Sequence, residues 1–273
     1  MGEELLVVVK GGGDLATGVA HRLHRAGIRV IITELPQPTV IRRPVAFASA
    51  VCAGEVTVEG VTARLVDGLV QALACLNEGI IPVLVDPKAE VVRELRPDAV
   101  VDATVAKRNL GTCLTDAPIV VALGPGFTAG VDCHAVVETN RGHYLGRVIT
   151  EGQAAPNTSV PGSVLGHAED RVVRAPCAGI FRGEWRIGDR VEAGQIVARV
   201  DGEPVVARIS GVLRGLLADG LAVYAGMKVG DVDPRGVVEH CFTISDKARA
   251  VGGGVLEAIL WLHRQRNQWP NDQ

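Results

Sequence analysis

The sequence predicts an α/β protein with a Rossmann-like N-terminal half built on a mostly parallel sheet, a β-rich C-terminal module and a terminal helix. Three observations support this: apolar runs alternate with helical patterns in the first half, a glycine-containing unit is repeated in the second, and the last stretch has helical apolar spacing. The chain has 273 residues, enough for about two ordinary domains.

Five short apolar runs define the expected sheet: "LLVVV", "IRVIIT", "IIPVLV", "DAVVDA" and "PIVVAL". Continuous runs that alternate with helices are typical of parallel strands buried on both faces. Between the second and third runs, "EVTVEGVTARL" alternates apolar and polar residues around Glu59 and Gly60, which predicts an inserted hairpin. We expect residues 1–150 to form a ligand-binding domain.

The turn after the first run matches G-x-G-x-x-A at Gly11, Gly13 and Ala16, and Glu34 lies 21 residues beyond Gly13. In this context glycine lets backbone amides approach a phosphate at a helix N-terminus, and the acid can bind a ribose hydroxyl. The alternative is a turn that only packs the helix on the sheet. Asp14 argues against a simple NAD site, because its carboxylate repels phosphate; it could equally cap the helix.

Glycines and charges also follow the other predicted strands, where ligands of open α/β sheets bind. Arginine pairs such as Arg42 and Arg43 can bind phosphate oxygens, although a solvated pair before Pro44 is an equal alternative. "AKRN" could likewise be only a charged helix start. The expected cofactor-binding residues are Gly11, Gly12, Gly13, Asp14, Glu34, Arg42, Arg43, Lys107, Arg108, Asn109, Gly124, Gly126 and Arg141.

Glu138 and His143, in "VVETNRGHYLGRV", are the candidates for acid–base catalysis. The alternative for His143 is a hydrogen-bonding surface residue. The sequence has no G-x-S-x-G or H-E-x-x-H motif, so nucleophilic and zinc-dependent hydrolysis have no support.

Composition excludes several classes of partner. The net charge of −3 provides no field for nucleic acid or an anionic membrane. The six cysteines have no C-x-x-C spacing, so we expect neither a metal site nor a disulfide framework. The N-terminus has no signal-peptide pattern, and a cytoplasmic location is expected.

The second half contains an internal duplication. After a Pro/Gly-rich linker or boundary loop at 151–170, Gly179, Gly188 and Gly194 recur 32 residues later as Gly211, Gly220 and Gly226. The module at 171–236 resembles a biotinyl/lipoyl-like barrel-sandwich domain. Its joining stretch "VDGEPV" has no lysine, so a prosthetic-group carrier is rejected and a scaffold or recognition surface remains.

The last segment, 237–273, is expected to be helical and to pack back on the protein. Ser245 or Asp246 could cap its helix, and Val255, Leu256, Ile259 and Leu260 have helical spacing. The glycines at 252–254 could approach a ligand or, more often in such cases, another backbone.

Several long stretches carry a resemblance to a known family: "KGGGDLATGVAHRL", "VIRRPVAFASAV", "VDATVAKRNLGT", "LGPGFTAGVDCHAVVETNRGHYLGRV", "PNTSVPG" and "ISDKARAVGGGVLEAIL". The chain resembles the YqeB-type selenium-dependent molybdenum hydroxylase accessory proteins, distantly related to the xanthine dehydrogenase accessory family. The resemblance implies maturation of a molybdenum hydroxylase through molybdopterin or its cytosine dinucleotide. A hydroxylase partner is implied, and a sheet edge and the β module offer surfaces for a homodimer. No selenium-handling motif is identifiable.

Two other functions are compatible with the residues. An NAD(P)-dependent oxidoreductase would explain Gly11, Gly13, Ala16 and Glu34, but Asp14 counts against it and the sequence has no Tyr-x-x-x-Lys pair. A structural adaptor would use the repeated β unit to join partners and would bind no small ligand.

Overall fold

A nine-stranded sheet forms the centre of the molecule in the computed structural model, which describes residues 5–158 and 160–268. Its strand order is β10-β9-β7-β6-β1-β2-β5-β4-β3. The strands are β1 (Leu6–Lys10), β2 (Arg29–Glu34), β3 (Glu55–Val58), β4 (Val61–Val66), β5 (Ile81–Val85), β6 (Ala99–Asp102), β7 (Ile119–Leu123), β9 (Ala135–Val137) and β10 (Val148–Ile149). A separate two-stranded sheet pairs β8 (Thr128–Ala129) with β11 (Gly152–Gln153).

Both faces of the large sheet are buried. Successive side chains of a strand point to opposite faces, and accordingly Val7 and Val9 belong to one apolar cluster while Val8 belongs to another. Helices cover these two clusters. They are α1 (Asp14–Arg25), α2 (Ala50–Ala53), α3 (Leu69–Asn77), α4 (Val91–Leu95) and α5 (Asp246–Gln268).

Short 3₁₀ turns complete the connections; they are Arg43–Val45, Phe47–Ser49, Leu114–Asp116 and Val238–Cys241. The segment that contains the first two turns crosses the start of α1. Its backbone is fixed there by Phe47, whose N–H donates to the buried Thr17 Oγ1 at 2.8 Å. This contact places residues 42–48 beside the glycine turn.

The C-terminal β strands form two four-stranded antiparallel sheets, ordered β12-β19-β17-β14 and β16-β15-β13-β18. A shared apolar core includes Phe181 and Leu213. The strands are β12 (Val172–Arg174), β13 (Gly179–Gly183), β14 (Arg190–Val191), β15 (Ile196–Val200), β16 (Glu203–Val206), β17 (Gly211–Leu216), β18 (Ala222–Val223) and β19 (Lys228–Asp233). β13, β14 and β15 therefore start 32 residues before β17, β18 and β19.

The structure corrects the expected fold class. A Rossmann-like half joined to a biotinyl/lipoyl-like barrel-sandwich is wrong: the large sheet is mixed, with β3 and β10 antiparallel at its two edges, and the remaining strands form separate antiparallel sheets. The physical reason is that apolar periodicity reports whether a strand is buried. It does not report strand direction or which strands pair.

Some local predictions are confirmed. The hairpin around Glu59 and Gly60 is the β3–β4 pair, and both turn residues have the positive φ that a tight hairpin turn requires. Ser245 caps α5, because its Oγ accepts the Ala248 N–H at 3.2 Å. Gly252 approaches the backbone of Gly18 on α1 rather than a ligand.

The expected domain limits stay a prediction. Residues 1–4 of the N-terminal domain, Ser159 of the linker and residues 269–273 of the terminal segment lie outside the described residues. Across the described ranges, 5–158 and 160–268, no helix is both long enough and apolar enough for a membrane span.

Candidate functional site

Two neighbouring cavities flank the start of α1, at the edge where the parallel strands end. The larger has a volume of about 590 Å³ and the smaller about 340 Å³. Asp14 and Leu15, the first two residues of α1, line both. We call the smaller one the basic cavity, because its wall contains Arg42, Arg141, Arg171, Arg214, Lys228 and Lys247.

The glycine turn is closely packed on one side and open on the other. Gly12 O accepts the Ala48 N–H at 2.8 Å, and a Cβ on Gly12 would lie 2.7 Å from Ala48 N. Gly11 and Gly13, in contrast, line the larger cavity. Packing against residues 46–48 therefore accounts for Gly12, while its two neighbours remain available to a ligand.

Glu34 reaches the same turn from the end of β2. Its Oε2 accepts the Gly12 N–H at 2.7 Å, and its Oε1 accepts the Leu35 N–H at 2.7 Å. A carboxylate offers about four acceptor positions, so two bonds leave capacity for a ligand hydroxyl. Glu34 lines the larger cavity, as the expected ribose contact requires.

Asp14 does not cap α1. The N-cap residue is Gly13, and no side chain caps the helix. The Asp14 carboxylate is instead 3.3 Å from the Arg42 guanidinium. The first N–H groups of a helix carry partial positive charge, so the uncapped start of α1 favours an anion. The Arg42 guanidinium offsets the opposing charge of the Asp14 carboxylate.

The floor of the larger cavity is a polar network. Lys10 Nζ is 2.9 Å from Asp116 Oδ2 and donates to Thr112 Oγ1 at 3.0 Å. Thr112 Oγ1 donates to the buried Asp102 at 2.6 Å. Apolar residues form much of the remaining wall, namely Leu15, Leu35, Val40, Ala103, Val105, Ala106 and Leu110. Apolar walls with a few fixed polar groups are typical of sites for small organic molecules.

The basic cavity holds six cationic side chains and two carboxylates, Asp14 and Asp231. Asp231 contacts Arg171, and Asp14 contacts Arg42. Arg141 makes a bidentate pair with Asp246, at 2.7 and 3.0 Å. Within the described part of the chain, the amines of Lys228 and Lys247 have no ion pair within 4.0 Å. Desolvation by the cavity wall lowers the pKa of both amines, although Lys228 is exposed and Lys247 is half-buried.

Two arginines of this cavity lie close together in the interior. Arg42 and Arg214 are each only 8% exposed, and both donate to His240 O, at 3.0 and 3.3 Å. Desolvation, followed by the charge of Arg42, lowers the pKa of Arg214. Arg42 Nε is buried without a hydrogen-bond partner among the described residues, which is costly unless a ligand or water satisfies it.

Comparison with known proteins places the chain beside one named group. It is 55% identical over 260 residues to "Uncharacterized protein YqeB" of Escherichia coli (strain K12), covering 95% of this chain and 48% of that protein. This similarity supports a YqeB-type family. The chain spans about half the length of that curated relative. No protein-family model matches the chain.

Solved structures are similar only at a low level. An aspartoacylase family protein from Mesorhizobium loti has a TM-score of 0.26 and 10% identity, covering 84% of this chain and 85% of that one. The product-bound ectoine utilization protein EutE (DoeB) from Ruegeria pomeroyi has a TM-score of 0.26 and 14% identity, with the same coverage. At these scores the likeness supports no inference about function.

The stretches that carry the YqeB-type resemblance converge on the two cavities. Residues of "KGGGDLATGVAHRL" and "VDATVAKRNLGT" line the larger cavity, and residues 156–158 and 160–162 of "PNTSVPG" line the basic cavity. Arg42 comes from "VIRRPVAFASAV", and Ser245 and Lys247 from "ISDKARAVGGGVLEAIL". Arg141 comes from "LGPGFTAGVDCHAVVETNRGHYLGRV". All six stretches, distant in sequence, therefore contribute residues around the first turn of α1.

Other expected cofactor-binding residues lie outside both cavities. Arg43 donates to Leu216 O at 2.8 Å, and Lys107 and Arg108 are exposed. Asn109 is engaged in its own loop, where it bonds Gly111 and Thr112. A Cβ on Gly124 would meet Thr139, and one on Gly126 would lie 2.6 Å from Arg108 N. These two glycines therefore serve close packing.

The two expected catalytic residues occupy different environments. Glu138 is buried, and its carboxylate accepts the N–H groups of Asn140 and Ala155, at 2.6 and 2.7 Å. His143 is exposed and meets the Tyr144 ring edge-on, with ring centroids 5.0 Å apart. Neither lines the two cavities. In the part of the chain that the structure describes, no three His, Cys, Asp or Glu side chains form a metal-binding group.

The structure adds five cationic residues that the sequence did not identify as site residues: Lys10, Arg171, Arg214, Lys228 and Lys247. Four of them follow the predicted ligand-binding domain in the chain and reach the basic cavity only through folding. Their spacing carries no signal, since each lies on a different element.

Proposed function

We propose that the chain is an accessory protein in the maturation of a molybdenum hydroxylase, and that it holds a phosphate-bearing molybdopterin-type cofactor as cargo across the two cavities. The observation that supports this best is the junction at Asp14 and Leu15, where a partly apolar cavity adjoins a basic one. A pterin nucleotide combines a planar ring system with phosphate, and these two surroundings match its two parts.

The residues present fit such a cargo. The larger cavity would hold the ring system between its apolar wall and the polar network of Lys10, Thr112 and Asp102. Arginine suits phosphate because its planar donors match phosphate oxygens. Arg42 and Arg214 line the basic cavity and supply guanidinium groups of this kind. If the cargo carries a ribose, Glu34 has acceptor capacity for its hydroxyls.

Binding can be tested by calorimetric titration with molybdopterin, molybdopterin cytosine dinucleotide, NADH and NADPH in parallel. We expect heat from the pterins and none from the nicotinamide nucleotides. Leu110→Asp places a charge in the larger cavity, where Leu110 is 60% exposed, and should weaken pterin binding. Leu165→Asp is the matched control, because Leu165 is 70% exposed and lines neither cavity. Selective binding of NADH or NADPH would favour the oxidoreductase, and silence from all four would favour the adaptor.

The maturation role needs a test in cells. A strain without the gene for this protein should contain hydroxylase polypeptide with little activity, and the wild-type gene should restore that activity. Normal hydroxylase activity in the deletion strain would contradict the proposed role even if the pterin binds.

A further inference from the structure

We infer that the basic cavity is a binding site for a diphosphate group. The inference deepens the proposed function: only the link between the diphosphate and a pterin cargo rests on that function. The site itself is supported by the charges of the cavity wall, by the burial of two of its arginines and by a buried donor without a partner among the described residues.

The wall of the basic cavity carries a surplus of positive charge. Pairing with Asp14, Asp231 and Asp246 accounts for Arg42, Arg171 and Arg141. Arg214 has only a longer contact, 3.7 Å to Asp233, a carboxylate that Arg235 already binds at 2.6 Å. Lys228 and Lys247 then add two cations to the same wall. Six cations against the two carboxylates of Asp14 and Asp231 leave the wall with an excess of positive charge, and such an excess concentrates anions.

Two arginines of the cavity wall, Arg42 and Arg214, form a buried pair of like charges. Two like charges that are both removed from water repel each other and lose hydration. Arg42 and Arg214 are held in this arrangement by a shared acceptor, His240 O, and the pair still leaves Arg42 Nε without a partner. An anion in the cavity would relieve the repulsion and supply charge-assisted hydrogen bonds.

The donors of the basic cavity come from several sides of it. Arg214 lies on β17, Lys228 begins β19, Lys247 lies in the first turn of α5, and the uncapped start of α1 forms another side. Helix N-termini bind phosphate through their free N–H groups. Donors on four elements surround a cavity of about 340 Å³, and a diphosphate, with more oxygens and more charge than a monophosphate, can bind donors on several sides.

The test is a titration of the purified protein with inorganic pyrophosphate and, separately, with inorganic phosphate, in magnesium-free buffer of low salt. We expect pyrophosphate to bind more tightly than phosphate and its affinity to fall as salt is added. Lys228→Gln and Lys247→Gln should each weaken pyrophosphate binding about tenfold, which corresponds to the loss of one charge-assisted contact. Arg208→Gln is the control, because Arg208 is exposed and lies outside both cavities.

The outcomes separate this inference from the proposed function. Absence of pyrophosphate binding, or equal affinity in wild type and both lysine variants, would overturn the diphosphate site. Lysine-dependent pyrophosphate binding without molybdopterin binding would leave the site standing and remove the pterin cargo. Molybdopterin nucleotide binding that ignores both lysine substitutions would retain the cargo and remove the site. Circular dichroism of each variant shows whether the fold is intact.

Discussion

Glu59, in the turn of the β3–β4 hairpin, accepts two hydrogen bonds from the Arg249 guanidinium, at 2.8 and 2.7 Å. The two residues are 190 positions apart in the chain. Glu59 also accepts the Ile244 N–H at 2.8 Å. One carboxylate therefore ties the edge of the nine-stranded sheet to the beginning of α5, the helix that brings Lys247 to the basic cavity.

This connection predicts a pH dependence. Partial burial alone would raise the pKa of Glu59, but the Ile244 N–H and Arg249 outweigh it and lower the pKa. A folded-state pKa below the unfolded value gives stability that is present above the unfolded pKa, about 4.3, and is lost as pH falls through the folded one. Glu59→Gln should therefore lower the free energy of unfolding by about 1 kcal/mol at pH 7 and by much less near pH 3. Urea denaturation at both pH values measures this, with Glu257→Gln as an exposed control. An equal cost at both pH values would contradict the assignment.

The glycine turn gives a second prediction, from adjacent positions. A Cβ on Gly12 would lie 2.7 Å from Ala48 N, whereas one on Gly13 would lie 3.7 Å from Val40 Cγ1. Gly12→Ala should therefore lower the free energy of unfolding by about 2 kcal/mol, and Gly13→Ala by less than about 1 kcal/mol. Chemical denaturation of the two variants compares them. Equal costs would mean that residues 46–48 move aside and that close packing does not explain Gly12.

Two neighbouring glycines in α5 should respond in opposite directions. A Cβ on Gly252 would lie 2.6 Å from Gly18 O, while one on Gly253 meets no atom within 4 Å. Gly252→Ala should destabilise the protein by about 2 kcal/mol. Gly253→Ala should stabilise it by up to about 1 kcal/mol, because alanine is the better helix former. Thermal unfolding followed by circular dichroism shows whether each substitution raises or lowers the stability. A stabilising Gly252→Ala would show that α1 and α5 are not closely packed at this position.

The two expected catalytic residues, Glu138 and His143, should differ in how much each contributes to stability. Glutamine in place of Glu138 would turn an amide donor toward the N–H of Asn140 or Ala155, so Glu138→Gln should cost about 1–3 kcal/mol of stability. His143→Gln, on an exposed side chain, should change stability by less than about 0.5 kcal/mol. Differential scanning calorimetry of both variants tests this. Unchanged stability of Glu138→Gln would return Glu138 to consideration as a free carboxylate.

The sequence was informative wherever the signal is local. The hairpin turn at Glu59 and Gly60 and the Ser245 cap depend on residues within a few positions of each other, and both were predicted. The overall architecture depends on strand direction and pairing across the whole chain. An apolar run indicates neither the direction of a strand nor its partner. The antiparallel edge strand β10 and the separate C-terminal sheets were therefore not predicted.

The candidate site shows the same division. Gly11, Gly13, Asp14, Glu34, Arg42 and Arg141 were expected and do line the cavities. Arg43, next to Arg42, was expected on the same grounds but turns away to Leu216 O. Arg214 and Lys228 could not be predicted, because only the packing of the repeated β unit against Ile41 and Arg43 brings them to the site. Residues that directly follow a predicted strand can be assigned to the ligand-binding edge from the sequence. Cationic residues from distant parts of the chain that fold against this edge cannot.

The duplicated β unit contains pairs of equivalent positions, and one such pair differs in its exposure to solvent. Arg182 and Arg214 are 32 residues apart, at the same place in the two copies, yet Arg182 is exposed and Arg214 is 8% exposed in the basic cavity. Of the two copies, only the second contributes residues to the basic cavity. The exposed turn at Asp201 and Gly202, which joins the two copies, also lies outside both cavities, so a fluorophore or an affinity handle attached there would stay clear of the candidate site.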